Sequence, residues 1–66
     1  MQIQLNGEPH QLDHDPTLAR LVEALGLGGR RVAIELNEEI VPRSQHAQTA
    51  LAEGDRVEIV HAIGGG

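Results

Sequence analysis

The sequence predicts a small α+β domain, with one helix packed on a mixed sheet of four to five strands. Three observations predict it: apolar residues alternate in three segments, one segment has helical spacing, and turn residues separate these segments. At 66 residues the chain has room for one domain with one small core. The chain contains no Cys, so packing rather than disulfide bonds must hold that domain together.

The first segment predicts a β-hairpin. Met1, Ile3 and Leu5 alternate with polar residues, as in a strand with one buried face. The Asn6-Gly7 pair that follows is typical of a two-residue hairpin turn, because both residues tolerate positive φ. The return strand, residues 8–12, contains Pro9, which cannot donate a hydrogen bond within a sheet. This strand should therefore lie at a sheet edge.

The next segment predicts the helix. Thr17 or Asp15 can cap its first turn with a side-chain oxygen. Its apolar side chains then fall at i, i+3, i+4 and i+7, on one helical face: Leu18, Leu21, Val22 and Leu25. Gly26 or the pair Gly28-Gly29 should end the helix, since glycine accepts the left-handed conformation found after a helix.

The second half of the chain predicts three more strands and a short helical turn. We expect the strands at residues 31–36, 40–41 and 56–63, and the helical turn at residues 44–51. Pro42 should stop the second of these strands, and Ser44 could cap the helical turn. The last strand should pair with the first at the centre of the sheet, because Pro9 keeps the second strand outside.

This order of elements is that of a β-grasp fold, the ubiquitin-like architecture. The β-grasp domain should span residues 1–63, and residues 64–66 should form a flexible glycine tail. We expect the helix to bury its apolar face against one side of the sheet. The sheet residues predicted in this core are Ile3, Leu5, Val32, Ile34, Leu36, Val57 and Ile59.

Composition excludes several classes of function. The net charge of −5 and the absence of aromatic residues argue against nucleic acid, which needs a basic groove and stacking surfaces. No stretch approaches the roughly 20 apolar residues that span a bilayer. The N-terminus has neither the charged nor the apolar region of a signal peptide. We therefore expect a cytoplasmic protein that binds neither nucleic acids nor membranes.

Catalytic and metal-binding patterns are weak. There is no cysteine nucleophile and no glycine loop for phosphates. His10 and His14, beside Asp13 and Asp15, are metal ligands in type, but a solvated loop explains them as well. His46 is expected in a polar turn. We predict no metal site, no bound cofactor and no enzymatic activity for this chain.

The glycine tail is the candidate for function. Gly64, Gly65 and Gly66 lack side chains, so they could enter a channel too narrow for Cβ atoms. A frayed terminus explains the glycines as well. A free carboxylate is unreactive, so the Gly66 carboxylate would need activation by a separate ATP-using enzyme.

The last strand predicts a docking surface beside this tail. If Val57 and Ile59 face the core, strand alternation turns Glu58, Val60 and Ala62 outward. We interpret these three residues as a docking patch for a partner. Single exposed apolar residues are also ordinary on protein surfaces.

The whole chain resembles the sulfur carrier protein of thiamin biosynthesis, a ubiquitin-like β-grasp family. The resemblance rests on residues 35–44 (ELNEEIVPRS), residues 53–60 (EGDRVEIV) and the terminal glycines. It implies that a ubiquitin-activating-like enzyme adenylates Gly66 with ATP and that the product becomes a thiocarboxylate, with Gly65 giving access. The family ends in a Gly-Gly pair; here Gly64 precedes that pair as a third glycine, and we expect it to add to the access of the tail.

The resemblance also implies the partners. Thiazole synthase would take the sulfur, and a sulfurtransferase or cysteine desulfurase would supply it. Two alternatives stay open: a sulfur carrier for molybdopterin or another sulfur-containing product, and a ubiquitin-like interaction module that carries nothing.

Overall fold

The computed structural model describes residues 1–13 and 16–61. These form a five-stranded sheet, one α-helix and one 3-10 helix: β1 Gln2–Leu5, β2 Glu8–Gln11, α1 Leu18–Ala24, β3 Val32–Leu36, β4 Glu39–Ile40, the 3-10 helix Arg43–Gln48, and β5 Arg56–His61. The strand order is β2-β1-β5-β3-β4. Only β1 and β5 run parallel; the other neighbouring pairs are antiparallel. The predicted mixed sheet with one main helix is confirmed.

The first hairpin matches its prediction closely. Asn6 and Gly7 have φ values of 52° and 83°, and they join β1 directly to β2. The strand with Pro9 lies at the edge of the sheet, as expected. It ends at Gln11 rather than at residue 12, although the Leu12 N–H still donates to the Met1 carbonyl at 2.8 Å.

Helix α1 has a defined start and a defined end. The Thr17 hydroxyl oxygen accepts a hydrogen bond from the Arg20 N–H at 3.2 Å, so Thr17 is the cap, whereas Asp15 lies outside the described residues. Gly26, with φ 76°, ends the helix. Its N–H donates to the Glu23 carbonyl at 3.0 Å, and the Leu27 N–H donates to the Val22 carbonyl at 2.9 Å. This pair of bonds is a Schellman motif.

The core lies between α1 and one face of the sheet. Its buried apolar residues are Ile3, Leu18, Leu21, Val22, Ile34, Leu51, Val57 and Ile59. The predicted members Leu5, Val32 and Leu36 are partly buried against them. The prediction for Leu25 is wrong: it is 36% exposed, because the helix ends at Ala24 before its last apolar position. Leu51 is a core residue that the sequence pattern did not indicate.

The segment between β3 and β5 differs from its prediction in three places. Strand β4 spans Glu39–Ile40 rather than residues 40–41, because Asn37 and Glu38 make a tight turn straight from β3. The 3-10 helix begins after Pro42 and has no side-chain cap, so the predicted Ser44 cap is wrong.

His46 is the third difference. It is 7% exposed rather than solvated in a polar turn, and its Nε2 lies 3.0 Å from the Val41 carbonyl oxygen. The 3-10 helix that carries it packs against α1. The imidazole therefore belongs to the interior of this small domain.

Candidate functional site

Strand β5 is the element that leads toward the predicted tail. It lies at the centre of the sheet, with β1 on one side and β3 on the other. The β3 pairing continues to its last residue, where Val32 lies opposite His61. The predicted site residues Ala62, Gly64, Gly65 and Gly66 lie outside the described residues, as does Ile63 of the predicted strand. Their roles stay predictions.

The two faces of β5 differ as the alternation predicted. Val57 and Ile59 are 1% and 7% exposed and face the core. Glu58 and Val60 point the other way, and Val60 is 58% exposed. Their outward orientation is confirmed, while their role in docking a partner stays a prediction.

The strand register surrounds these two residues with neighbours from β3 and β4. Ala33 lies opposite Val60, Glu35 opposite Glu58, and Ile40 opposite Glu35. Ile40 is 71% exposed and lies on the same face as Glu58 and Val60. We call these five residues the outer sheet patch. Sequence reasoning did not assign Ala33, Glu35 or Ile40 to this patch. The pairing of β3 with β5 brings Ala33 and Glu35 beside it, and the Asn37-Glu38 turn fixes the position of Ile40.

The patch combines apolar side chains with two acidic ones. Glu35 and Glu58 stand directly opposite each other on adjacent strands, where like charges destabilise a sheet. The pair therefore contributes nothing favourable to the stability of this domain. Two carboxylates between exposed Ile40 and Val60 are suited to a partner surface that combines basic and apolar side chains.

Two asparagine side chains fix β5 in place. The Asn6 Oδ1 accepts from the Ile59 N–H at 2.8 Å, and its Nδ2 donates to the Ile59 carbonyl at 3.3 Å. This side chain continues the β1 side of the ladder beyond the end of β1. At the other end of β5, the Asn37 Oδ1 accepts from the Arg56 N–H at 2.9 Å. The strand that leads to the tail is thus held on both sides.

Elsewhere the described residues show little that could perform chemistry. His10 is half-buried and lines a cleft between β2 and α1, whereas His14 lies outside the described ranges. Across residues 1–13 and 16–61, no group of three or more His, Asp or Glu side chains could hold a metal ion. No helix in the same ranges is long and apolar enough to cross a membrane.

Comparisons with known proteins agree with the fold and with the resemblance. The model of the ThiS family matches residues 3–66. The chain is 35% identical to the sulfur carrier protein ThiS of Escherichia coli (strain K12), and the match covers all of both chains. It also superposes on a crystal structure of the thiamine biosynthesis protein ThiS from Geobacter metallireducens, with a TM-score of 0.85, 32% identity and full coverage of both chains.

A further relative is longer. The chain is 44% identical to a thiazole synthase of Magnetococcus marinus over 66 residues, which is all of this chain but 20% of that protein. The chain thus spans about a fifth of the length of this curated relative. Together the matches confirm the resemblance inferred from the sequence.

Proposed function

This chain belongs to the ThiS family of sulfur carrier proteins of thiamin biosynthesis, and we propose that it carries sulfur as a thiocarboxylate on Gly66 to thiazole synthase. The observation that carries the proposal is that the family match runs through residue 66. The names of the relatives, sulfur carriers and thiazole synthases alike, favour thiamin over molybdopterin as the product.

The chemistry needs two steps on the tail. In the first, the Gly66 carboxylate attacks the α-phosphate of ATP, and pyrophosphate leaves as the acyl-adenylate forms. In the second, a donor at the oxidation level of sulfide attacks the acyl carbon and AMP leaves, which gives the thiocarboxylate without net oxidation. The partners would supply all catalysis. An adenylating enzyme that resembles ubiquitin-activating enzymes binds ATP. A sulfurtransferase or cysteine desulfurase provides the sulfur as a cysteine persulfide, from which a second thiol releases it at the oxidation level of sulfide by forming a disulfide with that cysteine.

The geometry supports a division of labour between tail and body. Strand β5 is fixed by backbone pairing and by Asn6 and Asn37, so it gives the tail a firm base. The tail glycines add reach without side-chain bulk. The outer sheet patch beside β5 offers the body a surface for recognition, because Val60 and Ile40 are exposed next to two carboxylates.

Intact-mass measurement tests the proposal directly. The purified protein is incubated with ATP, the adenylating enzyme and sulfide, and its mass is then compared with that of the untreated protein. We expect the mass increase of one oxygen-to-sulfur exchange, located at Gly66 by fragmentation. A protein that keeps its original mass under conditions in which Escherichia coli ThiS is converted contradicts the proposal.

Two variants serve as controls for the tail. Deletion of Gly66 and extension by two residues after it should both abolish conversion, since each removes the glycine carboxylate from its position. If the extended variant still supports thiazole formation, the chain is an interaction module and not a carrier. Conversion followed by sulfur transfer to molybdopterin synthase and not to thiazole synthase would favour the alternative pathway.

The outer sheet patch is tested by a matched pair of substitutions. Val60→Asp places a charge on an exposed apolar position of the patch, whereas Ala24→Asp places the same charge on an exposed position of α1. We expect Val60→Asp to weaken binding to a partner enzyme about tenfold and Ala24→Asp to leave it unchanged. Equal binding of the two variants would show that the outer sheet patch takes no part in binding the partner enzyme.

A further inference from the structure

We propose that a basic cleft beside the end of β5 binds an acidic segment of the adenylating enzyme, an inference that rests on the proposed function. The cleft has a volume of about 250 Å³ and is lined by Arg30, Arg31 and Arg43. Three of the five basic side chains of a chain with net charge −5 therefore gather at one place. No Asp or Glu lines this cleft in the described part of the chain.

The turn after α1 and the start of the 3-10 helix build this arrangement. The Schellman end of α1 is followed by a turn that the Arg30 N–H closes on the Leu27 carbonyl at 2.9 Å. Arg43, at the start of the 3-10 helix, reaches across and donates from Nη2 to the Gly28 carbonyl at 3.1 Å. This bond orients the Arg43 guanidinium and leaves its other N–H donors to bind a ligand.

No carboxylate among the described residues forms an ion pair with the arginines of the cleft. Within residues 1–13 and 16–61 the ion pair of Arg56 with Glu38, at 3.7 Å, is the only one between an arginine and a carboxylate. Arg30 and Arg31 are adjacent and exposed, and they lie with Arg43 around a shared cavity. Three like charges around one cavity repel one another, so an external anion would gain all three interactions at once.

A peptide segment that carries carboxylates fits this cleft better than a small inorganic anion does. Guanidinium groups bind carboxylates with two parallel hydrogen bonds. The apolar side chains of Val22, Leu27 and Val32 also line the cavity, and they offer contact to an apolar residue between the acidic ones. This combination is suited to a peptide segment with Asp or Glu on either side of an apolar side chain.

The position of the cleft indicates which partner supplies the segment. Val32 lines the cleft and pairs with His61, the last described residue before the tail. The five residues after His61 span at most about 17 Å when extended. An enzyme that holds Gly66 in its active site must therefore bring its surface close to the end of β5, and the cleft lies beside that end.

Calorimetric binding to the adenylating enzyme without ATP tests the inference apart from the chemistry. We expect Arg31→Glu to raise the Kd about tenfold, and the double substitution of Arg30 and Arg31 to raise it further. The difference in Kd between these variants and the wild type should narrow as ionic strength rises, because salt screens exposed charges. Arg20→Glu is the matched control: it makes the same change in net charge on α1, in the cleft beside His10, and should leave the Kd unchanged.

The possible outcomes separate this inference from the proposed function. A midpoint of thermal unfolding equal to that of the wild type shows first that each variant is folded. Equal Kd values for Arg31→Glu and Arg20→Glu overturn the cleft and leave the carrier role intact. A wild-type chain that does not bind the enzyme also overturns the cleft, and the mass measurement then decides whether the carrier role stands. A wild-type chain that binds through the cleft but gains no sulfur in the mass measurement contradicts the carrier role alone. Saturable binding of inorganic phosphate, with no effect of the variants on enzyme binding, would make the cleft a small-anion site and overturn the inference.

Discussion

The two tight turns of the sheet have the same backbone geometry and different surroundings. Asn6-Gly7 joins β1 to β2, and Asn37-Glu38 joins β3 to β4. All four residues have positive φ, as a type I′ turn requires: 52° and 83° in the first turn, 52° and 73° in the second. In both turns the Asn side chain bonds to the backbone of β5.

The difference between the turns lies in burial and in the second residue. The Asn6 bonds to Ile59 are partly buried, whereas those of Asn37 to Arg56 and Asp55 are exposed. Gly7 adopts positive φ freely, while Glu38 does so at a cost. One geometry therefore serves two purposes: the first turn completes the interior around β5, and the second mainly closes a hairpin at the surface.

The largest effect should come from Asn6→Ala. It leaves the Ile59 N–H and carbonyl without their partner in a partly buried place, and it puts alanine at positive φ, so we expect a loss of about 3 kcal/mol in the free energy of unfolding. Urea unfolding followed by circular dichroism measures it. Asn6→Gly adopts positive φ without cost, so its loss of stability measures the contribution of the two side-chain hydrogen bonds alone. A loss no greater than that of Asn37→Ala would show that the partly buried bonds of Asn6 stabilise the fold no more than the exposed bonds of Asn37.

Asn37→Ala should cost about half as much, roughly 1.5 kcal/mol. Water can replace its exposed bonds to Arg56 and Asp55, so most of the loss comes from alanine in the left-handed conformation. Asn37→Gly should therefore recover most of the stability in the same urea titration. If Asn37→Gly is as unstable as Asn37→Ala, the exposed side-chain bonds of Asn37, and not its positive φ, account for most of the lost stability.

Gly7→Ala should destabilise by about 1 kcal/mol. Apart from Gly7 itself and its two chain neighbours, no described residue has an atom within 4 Å of the Cβ that alanine would add, so the cost is that of positive φ alone. The midpoint of thermal unfolding should fall while the urea m-value stays constant. An unchanged midpoint would mean that the hairpin shifts to another turn at little cost.

Glu38→Gly should have the smallest effect and the opposite sign, a gain of about 0.5 kcal/mol. Glycine removes the cost of positive φ, and its greater freedom in the unfolded chain offsets part of this gain. The exposed ion pair with Arg56 is lost, which matters little for stability. Glu38→Gln removes the charge and keeps the side chain, so it should match the wild type. Destabilisation by Glu38→Gly would show that the ion pair outweighs the backbone strain.

The same two turns show what local sequence can and cannot predict. Asn6-Gly7 is a recognised hairpin signal, because both residue types favour positive φ. Glu38 does not favour it, and the contact of Asn37 with a distant strand overrides that preference. Without this turn the register of β4 is unknown, and so is the position of Ile40 in the outer sheet patch.

Packing explains the remaining differences. Alternation in β5 was enough to orient Glu58 and Val60, because strand faces follow directly from spacing. Burial of His46 depends on how the 3-10 helix packs against α1, which no local pattern encodes. The basic cleft likewise unites Arg30 and Arg31 with Arg43 only through the fold.

The central position of β5 has a consequence for partly folded chains. The pair β1 and β2 contacts the pair β3 and β4 in the sheet only through β5. A chain whose last strand detaches therefore loses its sheet as a whole and keeps two separate hairpins, which are marginal alone. Unfolding should therefore be all-or-none. Partly folded chains, in which the tail is present but the sheet is incomplete, should be scarce. A partner that binds the folded body thereby selects intact molecules.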